Sequence, residues 1–340
     1  MLTMRTAACI LLLCLAASGA PAGSELEIYF VDVEGGQATL IVTPLGESML
    51  VDAGWPGYDA RDAKRIAAAA RHAGVSRIDY FLMTHYHRDH AAGTPELLSQ
   101  MPVSVFVDHG PNTEDSRQGI ECEALYKSQW HKGKHLVVKP ADRIPLKGVE
   151  VIVVAARART IATPLAGAGA PNPACLTTKP GEQDASENAR SAGFLLKFGK
   201  FRFVDLADAT WNVELSLVCP SNKIGPADLF LVSHHGARIS NSPALLAALR
   251  PRVAVMNNGA RKGGDRATFE RLRALAELED LWQLHFSVPA GGANAPEPFI
   301  ANMQEQCQGF GIHVSARRDG SFRVTNLRNR AARIYRARKN

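Results

Sequence analysis

Short runs of apolar and β-branched residues alternate along this chain with stretches of helical period. Residues 26–33 (Leu-Glu-Ile-Tyr-Phe-Val-Asp-Val) and 38–43 (Ala-Thr-Leu-Ile-Val-Thr) flank Gly35 and Gly36, a pattern that predicts two paired strands joined by a tight turn. A third run, 48–51, ends at Asp52-Ala53-Gly54. Over 59–73 the period lengthens: Ile66, Ala69, Ala70 and Ala73 share one helical face, and Gly74 closes the helix. A strand over 78–83 then runs directly into Thr84-His85-Tyr86-His87-Arg88-Asp89-His90, Thr94-Pro95 opens another helix, and 103–107 is again a strand.

The middle of the chain is less regular. Residues 110–147 are polar and basic, and 156–190 are rich in Ala, Gly, Pro and Thr, which predicts irregular structure and a long surface loop. Strands resume at 193–198 and 201–206, followed by a helix from about Thr210. A short apolar strand, 228–232, leads into Ser233-His234-His235-Gly236; Ser242-Pro243 caps a helix, 253–256 is a strand and 266–278 a helix. Strand-like runs at 281–286, 310–315 and 321–325 follow. No repeat or linker divides the sequence, so it reads as one α/β domain over 23–327 whose strands and helices come in two similar rounds, each closing on a His-rich loop.

The first 22 residues read differently. Met1–Arg5 is a short positive start, residues 6–17 are apolar, and small residues at 18–22 suit cleavage, the pattern of a removable secretory signal peptide and hence of a periplasmic or secreted protein. The apolar run is shorter than the roughly 20 residues that a membrane span needs, and Cys14 follows Leu13, not the small residue that lipid attachment requires. Beyond this leader stand Cys122, Cys175, Cys219 and Cys307, widely spaced, with three possible pairings into two disulfides and no C-x-x-C metal motif.

With 340 residues, 46% hydrophobic and 21% charged, the chain is neither disordered, collagenous nor coiled-coil. Its formal charge of +6 invites a nucleic-acid reading, but six basic residues and no acid lie between Arg328 and Lys339. The rest of the chain is balanced, and 328–340 reads as a basic, solvated tail.

The chemistry concentrates at His85-x-His87-x-Asp89-His90, four metal-competent side chains within six residues after a strand. Imidazole nitrogen and carboxylate oxygen suit zinc, and also manganese or iron. Alternation in an extended loop points His85 and His87 the same way, toward one ion, while Asp89 and His90 turn toward a second. No Gly-x-Ser-x-Gly elbow or phosphate-binding P-loop occurs.

With this motif the sequence resembles the metallo-β-lactamase superfamily over nearly all of 23–327. The resemblance implies a four-layer αββα sandwich, two mixed β-sheets packed face to face with helices outside. Val51-Asp52-Ala53-Gly54 is similar to the family motif whose Asp orients a ligand. Residues 203–208 (Phe-Val-Asp-Leu-Ala-Asp) are similar to the strand that delivers the bridging aspartate, a role that falls to Asp208 ahead of Asp205. Ser233-His234-His235-Gly236, the Asp32-Val33 and Gly36-Gln37-Ala38 segments, and Asn188 with Ser191 resemble the ComEC-type competence proteins and their soluble relatives.

The implied ligands are His85, His87, Asp89, His90, Asp208 and His234. Asp89 and His235 would do proton work, and Asp52 and Asn188 would support the ligands. The order of His234 and His235 stays open, as does a ligand role for His109 or His285. The implied function is an exported hydrolase that activates water on two divalent ions, zinc first, and cuts a phosphodiester in a small molecule or nucleic acid. A β-lactam, lactone or other ester is the alternative bond. A third reading is an inert anion-binding protein tethered by its basic tail. No obligate protein partner is evident.

Overall fold

A computed structural model describes residues 24–338; the leader expected over 1–22 lies outside the described residues. The first six strands, β1 (Leu26–Phe30), β2 (Thr39–Val42), β3 (Ser48–Val51), β4 (Ile78–Leu82), β5 (Val103–Asp108) and β6 (Lys134–Val137), build one sheet. The next nine build a second: β7 (Arg143–Ile144), β8 (Glu150–Ala156), β9 (Arg159–Thr160), β10 (Gly193–Phe198), β11 (Phe201–Asp205), β12 (Leu229–Leu231), β13 (Val253–Met256), β14 (Asp280–His285) and β15 (Ile300–Asn302). The last three, β16 (Ile312–Ala316), β17 (Phe322–Asn326) and β18 (Ala332–Tyr335), return to the first sheet, where β16 pairs antiparallel with β1, Leu26 opposite Ala316.

Apolar side chains on the facing sides of the two sheets, among them Phe30, Phe194, Phe203 and Trp282, fill the space between them, and the rings of Phe30 and Phe203 meet edge to face at 5.9 Å. The outer face of the first sheet is covered by helices α1 (Arg61–His72), α3 (Thr94–Gln100) and α4 (Arg117–Lys127), with the one-turn α2 (Arg88–Ala91) at the strand ends. That of the second is covered by α5 (Trp211–Val218), α6 (Pro243–Leu249) and α7 (Arg266–Arg273). This is the expected αββα sandwich of two mixed sheets.

The differences from the sequence expectation have local causes. Residues 110–147 are not irregular throughout: Ser116 Oγ accepts from Gly119 N and starts α4, whose apolar face is carried only by Cys122 and Tyr126 and is weak in the sequence. The helix expected to reach residue 278 ends at Arg273. The loop over 156–190 is mostly irregular, and a Cys175–Cys219 disulfide ties it to the end of α5, leaving Cys122 and Cys307 as free thiols among the described residues. The basic terminus is not a frayed tail. Ala332–Tyr335 is an edge strand, Tyr335 is buried, Arg333 binds Asp280 and Arg338 binds Asp228. Residues 328–338 therefore continue the domain.

Candidate metal centre

In the first sheet β3 runs parallel to β4, and in the second β12 runs parallel to both β11 and β13; the side chains of interest leave the carboxyl ends of these strands. In open parallel sheets this is the edge where ligands gather. Asp52 follows β3, His85–His90 follow β4, Asp208 follows β11 and Ser233–Gly236 follow β12.

These segments converge on Asp208. Its Oδ2 is 3.4 Å from His90 Nε2, 3.5 Å from His234 Nε2 and 3.8 Å from His85 Nε2, while Oδ1 is 3.5 Å from His235 Nε2. Asp89 Oδ2 lies 3.3 Å from His90 Nε2 and 3.1 Å from His235 Nε2. Asp89, His90, Asp208 and His235 thus offer four donor atoms within 4.8 Å of one another, all buried. His87 extends the cluster through His85, Nδ1 to Nε2 at 3.1 Å, and its own Nε2 meets Glu114 at 3.1 Å. His235, expected to handle protons, is one of the four clustered donors, and His234 faces the other oxygen of the same carboxylate.

The supporting contacts fix the imidazoles. Asp52 Oδ2 is 2.7 Å from His90 Nδ1 and accepts from Thr84 Oγ1, and Oδ1 accepts from Thr84 N. The carboxylate therefore leaves His90 Nε2 free to point at Asp208 and Asp89. Asn188 does not play the part expected of it. It lines a neighbouring cavity, and Ser191 takes the supporting place, its Oγ accepting from Asp208 N and lying 3.5 Å from His85 Nδ1. His109 pairs with the buried Glu187 at 3.1 Å, and His285 with Asp32 at 2.8 Å; neither faces Asp208. Asp205 accepts from Gln37 and Ala207 N.

The electrostatics call for cations. Burial alone would raise the carboxyl pKa of Asp208, but His234, His235 and His90 together bring it well below the usual carboxylate range. Burial likewise opposes charge on His90, yet Asp208, Asp89 and Asp52 push its pKa well up. His85 is instead held neutral, mainly by burial. Asp208 Oδ1 is buried with no hydrogen-bond partner, which is costly for a carboxylate unless a cation meets it. Buried nitrogen and oxygen donors around such an oxygen fit divalent ions. Sequence reasoning missed Lys262, whose Nζ contacts Asp89 Oδ2 from a loop 173 positions away.

Backbone strain marks the same place. His234 (φ 54°), His235 (φ 53°), Asp52 (φ 59°) and Ala207 (φ 48°) all take the left-handed conformation, at about 1–3 kcal/mol each. Two glycines permit close approach: a Cβ at Gly36 would stand 2.4 Å from Asp89 O, and one at Gly263 2.2 Å from His235 O. Gly36 is therefore more than a hairpin turn, because it lets the β1–β2 connection bind the loop through Gln37 N to Asp89 O.

Residues 31–164 match the family described as the metallo-beta-lactamase superfamily. Among curated proteins, Recombination protein 2 of Haemophilus influenzae is 23% identical over 236 residues, covering 68% of this chain and 24% of that protein. Hydroxyacylglutathione hydrolase of Alkalilimnicola ehrlichii is 43% identical over 56 residues, 16% of this chain and 20% of that one. The matches thus span about a quarter or less of these relatives' own length. Among solved structures, the metallo-beta-lactamase fold protein YhfI of Bacillus subtilis is 10% identical with a TM-score of 0.45, covering 76% of this chain and 95% of that one.

Proposed function

We propose, from the match of residues 31–164 to the metallo-beta-lactamase superfamily, that this chain is an exported hydrolase that cleaves a phosphodiester with two divalent ions, zinc suiting the donors best. The observation that carries the reading is the meeting of His85, His90, His234 and His235 on the two oxygens of the buried Asp208 carboxylate. Asp89, His90, Asp208 and His235 would hold one ion; His85, His87 and His234 would hold the other, with Asp208 serving both. Bound there, such a pair supplies Lewis acidity and lowers the pKa of a water to roughly 7.

The chain's own residues do the rest. Asp52 keeps the His90 proton on Nδ1, so that Nε2 stays a donor. Lys262 offers a positive charge beside Asp89, matched to an anionic substrate. Two residues beyond Asp208 a cavity of about 610 Å³ opens, lined by Asn188, Thr210, Trp211 and Arg238. Asn188 Oδ1, Thr210 Oγ1 and Trp211 Nε1 are buried in its wall without partners. A substrate that is both anionic and rich in hydrogen-bonding groups, as a nucleotide phosphodiester is, would satisfy them. The likeness to a protein named for recombination is in keeping with this class. Export is supported by the leader-like pattern of residues 1–22 and by the Cys175–Cys219 disulfide.

A carboxylic ester or thioester is the second reading, favoured by the local likeness to a hydroxyacylglutathione hydrolase. Turnover of bis(p-nitrophenyl) phosphate, single-stranded DNA, a lactone and a cephalosporin by metal-loaded protein separates the two. The phosphodiesters are expected to be cleaved, and cleavage of the lactone or cephalosporin alone would overturn the preferred reading.

A further inference from the structure

A second group of donors stands apart from Asp208 and shares no residue with that centre. Asp32 follows β1, Glu34 lies in the β1–β2 connection, His285 ends β14, and Cys307 sits between β15 and β16. Four donor atoms, one from each, lie within 4.8 Å of one another. His285 Nε2 is 2.8 Å from Asp32 Oδ1, 3.3 Å from Glu34 Oε2 and 4.0 Å from Cys307 Sγ. Cys307 Sγ is 3.4 Å from both Asp32 Oδ2 and Glu34 Oε1. Zinc bonds of about 2.0–2.3 Å in tetrahedral array require donor separations of about 3.3–3.8 Å, so this spacing is already close to a coordination shell. We propose that Asp32, Glu34, His285 and Cys307 form a further site for a single zinc-type ion, distinct from the centre at Asp208.

Charge balance and geometry both favour this over other uses of the group. Arg65 Nη1 lies 2.9 Å from Asp32 Oδ2 and 3.0 Å from Glu34 Oε1. Two carboxylates and a thiolate carry three negative charges, and a divalent ion with the Arg65 guanidinium carries three positive ones. Binding exchanges the Cys307 thiol proton for the cation, because a coordinating thiol is deprotonated. A Cys–His nucleophile is a poorer account. The same nitrogen, His285 Nε2, faces both Asp32 and Cys307, so it cannot accept the thiol proton while donating to the carboxylate. The site would join β1 of one sheet to β14 of the other and pin the loop carrying Cys307 to α1 through Arg65. Asn258 Nδ2, which donates to His285 O, links it to the loop that bears Lys262.

Cobalt(II) substitution followed by near-ultraviolet absorption is the test, since only a thiolate ligand gives sulfur-to-cobalt charge transfer. Wild-type protein is expected to show the band and to bind one equivalent more than Cys307→Ser, which loses the band. A chain with Cys9, Cys14 and Cys122 all replaced by Ser should keep it, which assigns the band to Cys307 even if Cys307→Ser fails to fold. Asp208→Asn should also keep the band while losing ions from the other centre, so failure of one site is distinguishable from failure of the other. A wild-type protein without the band, or a band lost on replacing the other three thiols, would overturn the proposal.

Discussion

Asp208 shows what local spacing reveals and what it hides. His85, His87, Asp89 and His90 are legible as ligands because they lie within six residues. The carboxylate they meet becomes a candidate only through the resemblance of 203–208, Ser191 is marked only as part of the segment shared with Asn188, and Lys262 is delivered by folding alone. The roles of His234 and His235 were undecidable in sequence because two consecutive left-handed residues place the rings on different oxygens of one carboxylate. Asp52 gives the sharpest residue-level prediction. Asp52→Ala removes the acceptor at His90 Nδ1 and should weaken metal affinity about 10–100-fold, measured by competition with a chromophoric chelator; unchanged affinity would show that Asp52 orients nothing. Lys262→Met should raise KM for bis(p-nitrophenyl) phosphate more than it lowers kcat, because the ammonium stands beside Asp89 and is not one of the donors.

Among elements, the turn Ser233–Gly236 depends on a part of the fold that no motif announced. Asn241 brackets Ser233, its Oδ1 accepting from Ser233 N and its Nδ2 donating to Ser233 O. Asn241 N and Ser242 N in turn donate to the buried carboxylate of Glu214 on α5. Burial outweighs those donors and pushes the Glu214 pKa from 4.5 up to about 7. Its contribution to stability is therefore complete below about pH 4.5 and is lost as pH rises through about 7, an effect of at most about 3 kcal/mol. Thermal unfolding of metal-free protein should show a fall in Tm between about pH 5 and pH 8 that is shallower in Glu214→Gln. Equal slopes would mean that Glu214 is ionised throughout. Most strands were legible because β-branched runs are local signals; α4 was not, since its contact with the sheet rests on Cys122 and Tyr126.

The whole molecule is closed by its C-terminus. The alternation of strands and helices disclosed an α/β domain and the resemblance implied its αββα class, but neither disclosed that β16–β18 rejoin the first sheet beside β1, because pairing across nearly 300 positions leaves no local trace. Three of the six basic residues that gave the chain its net charge are accordingly engaged: Arg328 with Glu297, Arg333 with Asp280 and Arg338 with Asp228. This argues against the tethered-tail reading. Truncation after Leu327 should destabilise the protein by about 3 kcal/mol or more, through loss of buried Tyr335 and the stranded Asp280 and Asp228, read as a lowered Tm. Unchanged stability with lost anion binding would restore the tail. The central claim is that hydrolysis depends on ions gathered at Asp208, and the direct measurement is phosphodiester turnover by chelator-stripped protein before and after zinc or manganese is restored. Turnover should be absent when stripped, return on addition of metal, and fail to return in a folded Asp208→Asn variant; activity that survives stripping, or that Asp208→Asn recovers in full, would contradict the account.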